Sequence, residues 1–299
     1  MAVNKDNKKP DDIISLDAAR KHKNDERAER AAAEKAVKEA GEEKEVEYTI
    51  SVPAIIDKIA EDIKEYKKEL EAREEKRGEA GKKDIDKAQF ICLLSGISTC
   101  RRMPGIPQHM GYRGLYQCRN AEDAEAARKH LEEVFNIHDE ESMKKTLWGI
   151  CVNHDYRQFE SFWEGNPAFD IKVLKSRGRS AFESAKECAS KLAPIVGKQG
   201  FMAWDINEQI GMCRKMFACG LLSEEQFTQL TIPLAKRALR SFKSWEEYAV
   251  SCLCGAVYFG YRNHDTEESQ LDFFRLNKTL VDKLLEDNGA WGRNKFKPL

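Results

Sequence analysis

Five residues in the C-terminal third of the chain have the types that could form a ligand pocket: Trp204, Asp205, Arg214, Trp245 and Glu246. Carboxylates beside an arginine can move protons or hold a charged ligand, and such sites form between the facing helices of a bundle. Capping and packing explain most of the same residues. Asp205 would stabilise a helix start and both tryptophans would suit a core, which leaves only Glu246 without a structural role. Both interpretations stay open, and we prefer the structural one.

A second group of candidates lies in the segment 101–119, whose prolines and glycines predict an ordered loop. If exposed, five of its residues would form a basic, aromatic surface suited to phosphate or an acidic partner: Arg101, Arg102, Tyr112, Arg113 and Arg119. The alternative, which we prefer, is a loop whose aromatic side chains pack into the core while its arginines pair with glutamates.

No pattern identifies a catalytic residue, a metal site or a cofactor site. The pairs His154-Asp155 and His264-Asp265 resemble the ligands of metal hydrolases only loosely, because six histidines supply such pairs easily. The cysteines contain no C-x-x-C pair at zinc spacing, and no glycine-rich phosphate loop follows a predicted strand. We therefore predict neither a metal nor a cofactor.

Composition argues against several classes of protein. The net charge is −1 with both signs interspersed, which disfavours binding to nucleic acid or to a membrane surface. The helix expected from Trp245 to Gly260 contains no Lys or Arg, so it would be a poor DNA recognition helix. No apolar run is long enough to span a bilayer. Nine cysteines, scattered through apolar stretches, indicate reduced thiols and hence a cytoplasmic protein.

The helices that must position the candidate pocket are marked most clearly between residues 204 and 260. Ser223 and Ser244 are each followed three residues later by Gln or Glu, the capping-box pattern of a helix start. Gly220 suits the left-handed residue that ends the preceding helix. These signals predict three consecutive helices packed as a compact core.

Apolar spacing along the rest of the chain predicts an all-α fold, an irregular domain of eight to ten helices with no convincing strand. We expect a charged, partly disordered or marginally helical arm over 1–46, and a charged amphipathic helix with a linker over 47–86. The globular domain covers 87–287 and begins with the apolar run 87–100, which we interpret as a buried helix, although its length also permits a strand. A loosely held basic tail follows over 288–299.

The remaining helices of the globular domain are expected at 121–135, 139–151, 180–196 and 270–286. The aromatic stretch 159–169 carries no helical stripe and is expected to be a connector.

One set of residues follows a longer pattern of W-D, R, G-x-L-S-E-E, A and F-x-S-W-E-E: Trp204, Asp205, Arg214, Gly220, Leu222, Ser223, Glu224, Glu225, Ala235, Phe242, Ser244, Trp245, Glu246 and Glu247. This pattern resembles a bacterial family known as domain of unknown function 1266. The segment 131–147 resembles the other block of that family, so the resemblance covers roughly 131–260. Where the family often continues with Gly-Arg, this chain has Gly255-Ala256, which sets it apart from any activity that needs that arginine.

The resemblance implies a helical domain with no settled biochemical role, in a family whose members occur near genes of interbacterial conflict and chaperone-like genes. Two functions of different classes remain as expectations. The first, which we prefer, is a protein-interaction module of the immunity-like or adaptor kind, whose partner is another protein. The second is an enzyme or toxin-like effector with an acidic and arginine-lined helical cleft around Asp205, Arg214 and Glu246.

Overall fold

A computed structural model describes residues 49–78, 80–101, 103–107, 110–264 and 266–298, so the arm expected over 1–46 lies outside the described residues. The described part of the chain is mainly helical, which confirms the all-α prediction, and it also contains two short strands that the sequence did not predict. In chain order the elements are α1 (Ile55–Arg77), β1 (Lys83–Ile85), α2 (Lys87–Leu94), α3 (Gly96–Thr99), α4 (Ala121–Phe135), α5 (Glu140–Gly149), α6 (Asn153–Trp163), α7 (Ser176–Val196), α8 (Met202–Ala218), α9 (Glu224–Ser241), α10 (Trp245–Asn263), α11 (Glu267–Leu285) and β2 (Asn294–Pro298). Among these helices none has the length and apolar character needed to cross a membrane.

The described residues form eleven α-helices, one more than the upper end of the predicted range. One reason is that the apolar run 87–100 divides into α2 and α3 at Ser95. The Ser95 hydroxyl donates to the carbonyl of Cys92 at 2.8 Å, which satisfies the end of α2 locally and lets the chain turn.

The other reason is α6, which replaces the first part of the connector expected over 159–169. Its apolar side chains Tyr156 and Phe159 are buried. Its N-cap residue, Val152, has no side-chain acceptor for the first amides of the helix. The usual sequence signal for a helix start is therefore missing, and the acceptor comes from another helix.

Capping residues fix the boundaries of the central helices much as the sequence predicts. Ser223 Oγ accepts the backbone N–H of Gln226 at 3.1 Å, and the Gln226 side chain accepts that of Ser223 at 2.9 Å, a complete capping box. Ser244 caps α10 in the same way, but the carboxylate of Glu247 accepts the N–H of Lys243 instead, at 2.8 Å. Gly220 has a φ of +79°, the left-handed conformation that ends α8.

Helices α8 and α10 lie at the centre of the main core and are buried on almost every face. They approach closely at Gly255, where a Cβ atom would lie 2.3 Å from the Cβ of Trp204. Around them pack α1, whose buried isoleucines Ile56, Ile59 and Ile63 face α7 and α10, and α11, which contacts both α10 and α1. A second apolar cluster joins α4 and α5 to the C-terminal half of α8.

The tail expected to be loosely held over 288–299 is packed into the core as far as the structure describes it. Trp291 is fully buried and stacks on Trp245, with ring centroids 5.3 Å apart and planes 4° from parallel. Phe296 is buried in β2, which pairs in parallel with β1. The prediction was wrong because two aromatic anchors outweigh the basic residues between them.

Candidate functional site

Trp204 lies in the first turn of α8 and is a core anchor. Its side chain is 1% exposed, and its ring packs beside Phe259 with centroids 5.3 Å apart. The guanidinium of Arg101 lies 5.1 Å from the ring centroid, a cation–π contact. The indole N–H of Trp204 is buried and donates no hydrogen bond to any of the described residues.

Asp205, the next residue, caps the start of a neighbouring helix. Its Oδ1 accepts the backbone N–H of Val152 at 2.7 Å, and its Oδ2 accepts that of Asn153 at 3.2 Å. These amides begin α6, which lacks an acceptor of its own. Burial raises the pKa of Asp205 to about 7, while the two amides act in the opposite direction. The carboxylate therefore joins α8 to α6.

Arg214, further along α8, is buried and bonded to neutral acceptors. Its Nη1 lies 3.3 Å from the carbonyl oxygen of Cys92 and 3.2 Å from Ser95 Oγ, and its Nη2 donates to the carbonyl of Gly111 at 2.6 Å. Burial lowers the pKa of Arg214, and no described carboxylate acts on it. Arg214 thus ties the loop at Gly111 to α2 and is not a counter-charge for Asp205.

Trp245 and Glu246 repeat the order of aromatic and acid in the first turn of α10. Trp245 Nε1 donates to the carbonyl of Asn294 at 3.0 Å, which fixes β2 against the helix. Glu246 is 8% exposed, and its Oε1 lies 3.6 Å from the Nζ of Lys82. Its Oε2 is buried and accepts no hydrogen bond from a described residue.

The five candidate pocket residues face different neighbours. Asp205 faces α6, Arg214 faces α2 and its adjoining loop, and Glu246 faces Lys82 and α1. Glu246 lines a cavity of about 130 Å³ to which the other four contribute no side chain. The structural interpretation accounts for four of the five candidates and leaves Glu246 as the exception.

The four described candidates of the basic loop do not share one surface either. Arg101 turns inward, Tyr112 is half-buried, Arg113 and Arg119 are exposed, and Arg102 lies outside the described residues. The hydroxyl of Tyr112 donates to the carbonyl of Gly96 at 3.4 Å. The loop is thus partly packed down, with two exposed arginines left on it.

Arg101 belongs to a polar cluster that sequence reasoning missed. Its Nη1 donates to Glu208 Oε2 and its Nη2 to Asn277 Oδ1, both at 2.8 Å. Asn207 is fully buried and donates to the other oxygen of Glu208 at 2.7 Å. The available signal was the run of polar residues Asn207-Glu208-Gln209 within α8. The cluster joins α8 to α11, although the buried Nε of Arg101 has no hydrogen-bond partner among the described residues.

The described residues contain no group of three or more His, Cys, Asp or Glu side chains placed to hold a metal ion. His154 Nε2 lies 3.1 Å from Asp155 Oδ1. The other oxygen of Asp155 accepts the Tyr258 hydroxyl at 2.8 Å and pairs with Arg262. Asp265, from the second His-Asp pair, lies outside the described residues. The contacts of Asp155 link α6 to α10.

An apolar groove of about 1150 Å³ runs between α2, the loop at Leu115 and α9. Three buried phenylalanines lie among its lining residues: Phe90, Phe217 and Phe227. On the α9 side, Ile232 and Leu239 are each 39% exposed. The volume is slightly larger than the roughly 300–1,000 Å³ of pockets that hold small ligands.

The cavity beside Glu246, called here the acidic cavity, lies between α1, the C-terminal end of α7 and the start of α10. Four carboxylates line it: Glu71, Glu74, Glu246 and Glu247. Apolar side chains form much of the rest: Leu70, Ile195, Val196, Phe242 and Val250. It shares no lining residue with the apolar groove.

Comparison with known proteins bears on the whole C-terminal half. The model of a family described as protein of unknown function (DUF1266) matches residues 130–296. The match confirms the resemblance and extends it beyond residue 260, through α11 and into β2. Comparison with curated proteins and with solved structures gave no match. Because the matched segment spans more than half of the 299 residues, this chain belongs to the family of proteins of unknown function DUF1266.

Proposed function

We propose that this protein is an interaction module, of the adaptor or immunity-like kind, which binds an amphipathic helix of another protein in the apolar groove. The observation that carries the proposal is a stripe along α9, in which Thr228, Ile232 and Leu239 are exposed and Ala235 is buried. Thr228, Ile232, Ala235 and Leu239 follow steps of four, three and four residues, and all four line the groove. This is the spacing with which a helix packs against a second helix.

The wall of the groove opposite α9 is lined by apolar side chains against which such a partner could pack. Phe90, Ile91 and Leu115 line the groove from α2 and the following loop, facing the stripe on α9. An inserted helix would cover Ile232 and Leu239, whose exposed apolar surface is otherwise solvated. Leucine-sized anchors spaced four, three and four residues apart on the partner would match this arrangement.

Charge on the groove indicates the polar character of the partner. Lys87 and Lys236 line opposite walls and are both exposed, and neither forms an ion pair within the described part of the chain. Glu224 is the single acid among the lining residues. A partner helix with acidic residues beside its apolar face would complement the two lysines.

The enzymatic alternative lacks a comparable observation. It requires Asp205, Arg214 and Glu246 around one cleft, and these residues have separate sets of contacts. The thiol of Cys92 lines the groove, but burial raises the pKa of Cys92, which disfavours the nucleophilic thiolate.

Photo-crosslinking in the source cell tests the proposal directly. A benzoylphenylalanine replaces Ile232 in the full chain, and the same residue replaces Leu276, a 50% exposed leucine outside the groove, as the matched control. We expect position 232, and not 276, to capture one segment of another protein with helically spaced apolar residues and flanking acids. Capture of a second copy of this chain alone, or of no protein, would overturn the proposal.

A synthetic peptide of the captured segment then gives the affinity. Ile232→Glu and Leu239→Glu should each weaken binding by at least about tenfold, because each buries a charge against an apolar face. Leu276→Glu should leave the affinity unchanged. Equal binding by all three variants would show that the segment docks elsewhere.

A further inference from the structure

The acidic cavity contains a buried carboxylate oxygen with no partner. Glu246 is 8% exposed, and its Oε2 accepts no hydrogen bond from any described residue. A buried acceptor without a donor costs about 1–3 kcal/mol, so such groups call for an explanation. Glu246 lines the cavity, and a small rotation of its carboxylate would bring this buried oxygen to a donor bound there.

The carboxylates around the cavity outnumber the nearby cations. Lys67 donates to the carbonyl of Ile195 at 2.9 Å and lies 3.8 Å from Glu71. Lys82 lies 3.6 Å from the other oxygen of Glu246. Burial, followed by the charge of Glu246, raises the pKa of Glu74, so these two carboxylates act on each other. The four lining glutamates therefore exceed the two lysines in charge.

The shape and lining of the cavity restrict the ligand further. Its volume of about 130 Å³ is slightly below the roughly 150 Å³ of an apolar cavity that admits benzene, so it suits a chain of about five or six heavy atoms. Leu70, Phe242 and Val250 add apolar surface to the lining beside the acids. An aliphatic stem fits this apolar surface, and a cationic head fits the carboxylates.

We propose that this cavity binds a primary ammonium or a guanidinium group carried on a short aliphatic stem. The head donates to Glu246 Oε2 and Glu74, and the stem lies along Val250 and Phe242. The same chemistry occurs in free alkylamines and in the Lys or Arg side chain of another protein. This site does not depend on the apolar groove, because the two share no lining residue.

Titration of the full chain with butylammonium and ethylguanidinium, followed by calorimetry, tests the site. n-Butanol serves as the uncharged probe of the same length. We expect saturable binding of at least one cation and none of n-butanol. Binding of n-butanol as tight as that of the cations would overturn the proposal, because the cavity would then be only an apolar hole.

Variants separate specific binding from general attraction. Glu246→Gln and Glu74→Gln should each weaken cation binding by about tenfold or more, because each removes one charge that faces the head group. Glu69→Gln, on α1 but outside the acidic cavity, is the matched control and should bind like the wild type. Equal losses in all three variants, or no loss in the first two, would overturn the proposal.

An NMR measurement on the unmodified protein keeps the test independent of how the variants fold. Nuclear Overhauser contacts should join the alkyl protons of the bound cation to the methyl groups of Val250, and their absence would contradict the site. The source is then distinguished with Nα-acetyl-lysine methylamide and Nα-acetyl-arginine methylamide. Binding of either shows that a protein side chain can enter, while binding of the simple cations alone identifies a free amine or guanidine as ligand.

Discussion

Trp204-Asp205 and Trp245-Glu246 each place a buried tryptophan and a buried acid in the first turn of a central helix. The first acid accepts two backbone amides from α6, so both of its oxygens are used. The second acid lies 3.6 Å from one lysine and keeps one buried oxygen without a donor. Burial of an acid is therefore a poor sign of a binding site, and incomplete hydrogen bonding is a better one.

Replacing each acid by alanine should separate the two roles, with the largest effect at the cap. Asp205→Ala should lower the free energy of unfolding by about 3 kcal/mol, because two buried backbone N–H groups lose their acceptor. Glu246→Ala should lower the free energy of unfolding by about 1 kcal/mol or less. Glu246 accepts no hydrogen bond from a described residue, and in its absence the carboxylate of Glu74 remains close to the charge of Lys82. Urea unfolding followed by tryptophan fluorescence measures both values, and equal costs would contradict the assignment of the cap.

The contribution of the Asp205 cap should also be visible in the pH dependence of the free energy of unfolding. The folded pKa of Asp205, about 7, lies above its unfolded value of about 3.9, so the folded protein holds a proton that the unfolded chain has lost. The stabilisation is complete below about pH 4 and is lost as the pH rises through 7. Relative to Asp205→Asn, the wild type should lose about 2 kcal/mol of unfolding free energy between pH 5 and pH 7.

Asp139 provides the matched control. It is an exposed helix cap, and its contribution to stability should change with pH in the opposite direction. Its hydrogen bonds with Ser142 at the start of α5 lower the pKa of Asp139. Its contribution is therefore present at neutral pH and lost as the pH falls. Unfolding curves of Asp205→Asn and Asp139→Asn from pH 3 to pH 8 should diverge from the wild type in opposite directions. A parallel response would show that Asp205 is ionised throughout.

Local signals in the sequence were sufficient for the helices that carry their own caps. Ser223 with Gln226, and Gly220 in the left-handed conformation, act within one turn of the chain, so their spacing alone predicts them. The same local rules assigned Trp204 and Trp245 to the core. They also left Glu246 unexplained, which is the residue that the structure places on a cavity.

Contacts between distant segments could not be predicted in this way. Asp205 lies 53 positions from Val152, whose amide it accepts, so α6 has no start signal of its own. The tail is held by Trp291, 198 positions from the Leu93 carbonyl that accepts its indole N–H. Apolar spacing shows that a residue is buried, but it does not show which partner buries it. The convergence predicted for Asp205, Arg214 and Glu246 depended on such partners.

The two tryptophans can be compared in the same way as the two acids, with a smaller expected difference in the free energy of unfolding. Trp245 Nε1 donates to the carbonyl of Asn294 at 3.0 Å, whereas Trp204 Nε1 donates to no described residue. Replacement of each by phenylalanine removes similar apolar area and keeps a ring, including a face for Arg101 beside position 204. Trp245→Phe should therefore cost about 1 kcal/mol more than Trp204→Phe, the net value of one buried hydrogen bond. Urea unfolding followed by circular dichroism measures the difference. A larger cost at 204 would mean that its indole N–H has an acceptor, and the two helix starts would then differ in their acids alone.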